Sequence, residues 1–104
     1  MRGGYFMHKQ IIALVPNAQE TELCETFGYS SRGIPGLEIV GLGQKGKILK
    51  EKMIFLNKKY KFAIPARRYV ICVEDSFSKL AKDEHYRWLE LPLLLMYWSM
   101  AEVI

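Results

Sequence analysis

Cysteine and histidine are scarce in this chain of 104 residues, with two of each. Cys24 and Cys72 stand far apart, with no CxxC pair and no histidine at metal-ligand spacing. A small secreted domain stapled by disulfides would carry more, so both are expected to be reduced structural thiols. Neither a metal nor a cofactor is expected. A long apolar run is also missing. The stretch from Leu89 to Ile104 is apolar but interrupted by Glu90, Pro92 and Glu102, and a membrane span needs about 20 residues nearly free of charge. The start, Met1 to Tyr5, has neither an apolar core nor a small-residue cleavage site. A cytoplasmic location and no membrane partner are therefore expected. There is no internal repeat and no low-complexity linker. The length admits one domain, residues 1–104, and excludes a complete ATPase motor or a dinucleotide-binding fold with its substrate domain.

What is present is ordinary globular composition, 50% apolar and 25% charged. The net charge is +4, but it is unevenly placed. Nine cations (Lys45, Lys47, Lys50, Lys52, Lys58, Lys59, Lys61, Arg67 and Arg68) and one acid, Glu51, fall between residues 44 and 68. Such a basic segment can neutralise phosphates, or can simply be the solvated side of a helix. Lysine-rich, arginine-poor patches favour weak, salt-sensitive contact with DNA or RNA over base readout.

Hydrophobic patterning orders the elements. Lys9–Val15 reads as a strand stopped by Pro16-Asn17, and Glu22–Tyr29 as a second. Gly33, Pro35 and Gly36 mark a turn before a third strand, Leu37–Val40. From Lys47 to Tyr60 the period changes: Leu49, Met53, Leu56 and Tyr60 form one helical stripe. Arg68–Glu74 is a β-rich run, apolar on both alternating sets, expected to be internal or covered. Asp75–Trp88 reads as a polar loop, and Leu91 onward as a last helix with Pro92 in its first turn. The order β-β-β-α-β-α predicts a two-layer α/β domain.

Three constellations invite a functional reading. Gly41-Leu42-Gly43-Gln44-Lys45-Gly46-Lys47 satisfies GxGxxG after a strand and before a helix, and also seven of the eight positions of a Walker A loop. Position eight is Ile48, so the hydroxyl that would hold Mg²⁺ is missing, and no further βα units follow. Phosphate or nucleotide binding at Gly41–Lys47 ranks below a plain glycine turn. The basic segment is the second, with Lys45, Lys47, Lys50, Lys52, Lys58, Lys59, Arg67 and Arg68 as nucleic-acid contacts. The last helix, apolar almost all round, is the third. It needs burial on two sides, or a partner, with Leu94, Tyr97 and Trp98, and Val70 and Cys72 on the strand, as interface residues. Catalytic groupings are not found. His8 and His85 are isolated, Asp83, Glu84 and His85 are too close in sequence to converge on a metal, and no serine has an identifiable base.

From Tyr29 to Ile104 the chain resembles a known family. Ser31-Arg32-Gly33-Ile34-Pro35-Gly36-Leu37-Glu38-Ile39-Val40-Gly41-Leu42 is similar to the "S-x-G-L-P-x-F-x-I-V-G-L" signature opening the N-terminal domain of ComM-type magnesium-chelatase-like AAA+ ATPases. Phe62 to Arg68 is similar to the family's "F-x-F-P-x-R-R", and Leu91-Pro92 to the "D-L-P" that opens its next helix. The resemblance implies the two-layer fold shared by a ribosomal small-subunit domain and the proteolytic domain of Lon. It implies a module that precedes a DNA-processing motor without being the ATPase. The chain departs from the family at Gly43-Gln44, where Pro-Asp is usual, and at Glu90. Lys82-Asp83 is followed by Glu84-His85 and not by the Lon-type serine, so peptidase activity is not carried over. The expectation is a non-catalytic assembly or adaptor domain, a homo-oligomer or bound to a protein partner. The alternative is a nucleic-acid-binding module.

Overall fold

Residues 5–16, 21–74 and 85–104 are described by the computed structural model. The β-branched and apolar residues around Ile11 and Ile12 suit a pleated surface. They lie in β1 (Tyr5–Pro16), which pairs antiparallel with β2 (Thr21–Ser31) along its length. A short third strand, β3 (Gly36–Val40), leads into α1 (Gln44–Lys59) and then β4 (Arg68–Val73). A 3-10 turn, His85–Leu89, runs into α2 (Glu90–Met100). The sheet order is β1-β2-β4-β3, with β4 antiparallel to β2 and parallel to β3. A parallel pair needs a crossover, which α1 supplies.

The described residues thus form a mixed α/β domain with the expected order of elements. The β-rich run is internal to the sheet, as its two apolar sets predicted. Boundaries differ in several places, β1 beginning at Tyr5 and β2 running on to Ser31. The helix starts at Gln44, three residues before its apolar stripe suggests, because Gly43 (φ 55°) turns the chain into it. Residues 85–88, expected as loop, form 3-10 structure; residues 75–84 of that loop lie outside the described residues. Pro92 does sit in the first turn of α2, where a missing N–H costs nothing.

Register divides the sheet into two faces. Ala13, Val15, Cys24, Tyr69, Ile71 and Leu37 point inward and join Leu49 and Met53 of α1 with Leu93, Met96 and Met100 of α2 in one core. Fully burying a Val, Leu, Ile or Met among these contributes about 1.5–3 kcal/mol relative to leaving it exposed. Gly28 is what lets α2 lie close. A Cβ there would come within 2.6 Å of Met96 Sδ and 2.9 Å of Met100 Cε. The buried Thr26 hydroxyl is satisfied by donating to the Ile11 carbonyl at 2.8 Å.

The helices are tied into one layer by polar contacts. Asn57 of α1 accepts from Trp98 Nε1 at 2.7 Å and donates from Nδ2 to the Tyr97 hydroxyl at 3.1 Å. Lys52 pairs with Glu90 at 2.7 Å. Phe62 stands edge-on to Trp98, with ring centroids 4.8 Å apart.

Both cysteines are free. Cys24 projects from the inner face and Cys72 from the outer, so a bridge between them is geometrically excluded. Burial pushes the Cys24 thiol up to about 12, and nearby Glu74 acts in the same direction. Burial also raises Cys72, with Glu38 adding to the effect.

Candidate functional site

The glycine segment is a packed turn at the start of α1. Gly41 adopts φ 106° with its Cα hydrogens facing the Val73 carbonyl, and Gly46 lies against β3, where a Cβ would stand 3.2 Å from the Ile39 carbonyl oxygen. Two amides at the helix start are already engaged: Lys45 N–H donates to Leu42 O and Gly46 N–H to Gly43 O, both at 3.1 Å. Each glycine of the motif therefore has a role in chain reversal or close packing. A cleft of about 470 Å³ opens beside the segment, between β3 and α1, with Lys47, Lys50 and Arg68 on its wall. Arg68 is held across it by Glu38 at 2.7 Å.

The cations do not form one continuous patch. Each helical residue turns the chain by about 100°, which divides the lysines of α1 into two stripes. Lys45, Lys52 and Lys59 recur every seven residues, and each has a partner within the chain. Lys45 Nζ lies 4.9 Å above the Tyr86 ring, Lys52 is paired with Glu90, and Lys59 Nζ is 5.7 Å from the Tyr60 ring. Lys47, Lys50 and Lys58 share the other stripe, with Lys47 and Lys58 exposed and Lys50 half-buried. Arg67 reaches Glu102 at 3.7 Å.

The five expected interface residues also separate. Tyr97 is 4% exposed and sits in the core, its hydroxyl bonded to Asn57, and Val70 is 3% exposed between Tyr29 and Glu38 of the adjoining strands. Tyr97 cannot anchor a partner without unfolding, which corrects its expected role, whereas Val70 lies at low exposure in the middle of the outer sheet face. The reason is that α2, apolar on all sides, carries no periodic signal of which side faces the sheet. Leu94, Trp98 and Cys72 remain half-exposed. Leu94 and Trp98 line a shallow apolar groove of about 340 Å³ with Leu56, Tyr60 and Phe62.

The strand surface expected to serve as an interface, with Val70 and Cys72, belongs to a wider exposed apolar face. It is the outer face of the sheet, which no described element covers. Ile12 (57% exposed), Leu14 (61%), Leu23 (64%), Phe27 (40%) and Val40 (44%) all project from it. His8 stands edge-on to Phe27 there, at 5.5 Å between ring centroids, and Phe27 lies 6.2 Å from Tyr29. The unbroken run Ile11-Ile12-Ala13-Leu14-Val15 puts apolar residues on both faces of β1, with Ile12 and Leu14 on the outer one.

Three carboxylates lie on this face, those of Glu25, Glu38 and Glu74. Glu25 and Glu74 flank a depression of about 350 Å³ that also includes Gln10, Phe27 and Cys72. Glu74 accepts from the Glu25 backbone N–H at 3.0 Å. Among the described residues the only lysine or arginine on the outer face is Arg68, paired with Glu38.

Among the described residues no three or more His, Cys, Asp or Glu side chains are grouped to hold a metal, and no helix is long and apolar enough to cross a membrane. No protein-family model matches the chain, and no curated protein does.

Proposed function

We propose that this chain is a non-catalytic assembly domain whose uncovered sheet face binds protein, in the first place another copy of itself. The observation that carries this is the outer face itself: five large apolar side chains, each at least 40% exposed, project from it, four on the neighbouring strands β1 and β2 and Val40 on the opposite edge strand β3. Soluble monomers seldom leave a contiguous apolar patch larger than a few hundred Å² uncovered. The β-β-β-α-β-α order, with β3 and β4 parallel and both helices on one face, supports the ribosomal-domain and Lon-type fold. The similarity to the domain preceding ComM-type motors supports an accessory module, in the cytoplasm, over a catalytic one. Light scattering after size exclusion at physiological salt is the test. A discrete oligomer that dissociates when Leu14 and Leu23, a cross-strand pair, are both changed to Glu supports the proposal. A monomer at every concentration up to near-millimolar refutes it.

A second function, weak binding of DNA or RNA, is favoured by the stripe of Lys47, Lys50 and Lys58, whose only acidic neighbour on α1 is Glu51. Affinity in fluorescence anisotropy would fall steeply with salt and collapse when all three become Gln. Binding unchanged by that triple substitution removes this reading.

A further inference from the structure

The outer sheet face is acidic and apolar, whereas the opposite side of the molecule is basic and apolar. On α1, Phe55 is 62% exposed and Ile48 41%, one above the other on a single stripe. Lys58 and Lys59 follow Phe55 by three and four residues and therefore stand beside it. On α2, Leu95 is 42% exposed on the same layer. The sheet face offers the counterpart: a depression with an aromatic wall, Phe27, and two carboxylates, Glu25 and Glu74.

We propose that the sheet face of one copy receives the helix face of a second, with Phe55 seated at the Glu25–Glu74 depression and Lys58 or Lys59 reaching its carboxylates. This rests on the assembly function above and specifies its partner. Sheet-to-sheet pairing would join two surfaces of the same negative sign, whereas sheet-to-helix pairing joins opposite signs and both apolar patches. The two surfaces lie on opposite layers, so one partner cannot satisfy both. Such a heterologous contact adds copies in one direction, closing as a ring or extending as a filament.

Complementary single-face variants of the full chain test it. Ile12→Lys/Leu23→Lys disables the sheet face, and Phe55→Glu disables the helix face. All three positions are more than half exposed, so circular dichroism and melting are expected to match the wild type. Each variant alone is expected to fall to monomer mass in light scattering. Mixed in equal amounts they are expected to form a dimer of twice that mass and nothing larger, because each supplies the face that the other lacks. Lys58→Glu/Lys59→Glu should behave as Phe55→Glu does, by charge alone. If Phe55→Glu assembles like the wild type while the sheet variant is monomeric, the contact is sheet-to-sheet: this proposal fails and the assembly function stands. A mixture that stays monomeric also overturns the proposal. If the sheet variant assembles like the wild type, or the wild type is itself monomeric, the assembly function falls as well.

Discussion

Replacing Gly41 by alanine tests whether the glycine segment is there to pack. At φ 106° an L side chain is strained, and a sparsely populated backbone conformation of this kind costs about 1–3 kcal/mol. The new Cβ would also overlap the Val73 carbonyl oxygen and stand 3.2 Å from its carbonyl carbon. These are backbone atoms at the end of β4 and cannot rotate away. Relief means moving Val73, a core residue paired with Thr26, at a cost of roughly a further 1–2 kcal/mol in ladder hydrogen bonding and packing. The sum, about 2–5 kcal/mol, is a large share of the ~5–15 kcal/mol that holds such a domain together. Each kcal/mol moves Tm by about 4–8 °C at this size, so melting should fall by at least roughly 8 °C. Gly36→Ala is the control, since a Cβ there meets nothing within 4 Å and no positive φ is required. It should be neutral or stabilising by up to about 1 kcal/mol. Gly43→Ala, strained at φ 55° but with open space around it, should fall between them. Urea unfolding of the three variants decides the matter. A Gly41→Ala chain as stable as Gly36→Ala refutes the packing account.

Two further perturbations probe the core. The Cys24 thiol is raised from 9.0 to about 12 in the folded chain, so above pH 9 the unfolded chain holds fewer protons than the native one. Its contribution is fully present below pH 9 and declines towards pH 12, by up to about 1.4 kcal/mol per pH unit. Burial raises Tyr69 and Tyr97 as well, from an ordinary value of 10.0, which adds in the same direction above about pH 10. Urea midpoints should therefore fall more steeply with alkaline pH in the wild type than in Cys24→Ala; parallel slopes contradict this. Asn57→Ala removes the partner of both Tyr97 and Trp98 and should cost about 1–3 kcal/mol. Asn57→Asp, which can accept from both, should recover part of it, and equal losses in the two variants would show that the hydrogen bonds do not matter.

Much of the fold was legible because its signals are local. Leu49, Met53 and Leu56 recur at helical spacing, Pro16 ends a strand, and the β-rich run Arg68–Val73 takes an internal place between two neighbouring strands. The candidate site was less legible, for a physical reason. In α2 nearly every side chain is apolar, so periodicity cannot say that Tyr97 faces inward while Leu91 and Leu95 face out. Gly28 sets that orientation by making room for Met96 and Met100, and a glycine inside a strand is the sequence mark of such an approach. The lysines were equally ambiguous: one stripe is held within the chain by Tyr86, Glu90 and Tyr60, contacts between segments distant in sequence.

The placing of β4 between β2 and β3 also governs the order in which the chain can fold during its synthesis. The β1–β2 hairpin is local and can form as soon as Ser31 has emerged. The other edge of β2, from Thr26 to Ser31, must wait for Arg68–Val73. At about 5–20 residues per second the roughly forty intervening residues take several seconds to make. Over that interval a hairpin with apolar side chains on both faces presents an unpaired strand edge, the arrangement most prone to pairing with the wrong chain. Completion is then a single late insertion that supplies partners to β2 and β3 together. The nascent protein is therefore most vulnerable in its middle third, before the strand that closes the sheet exists.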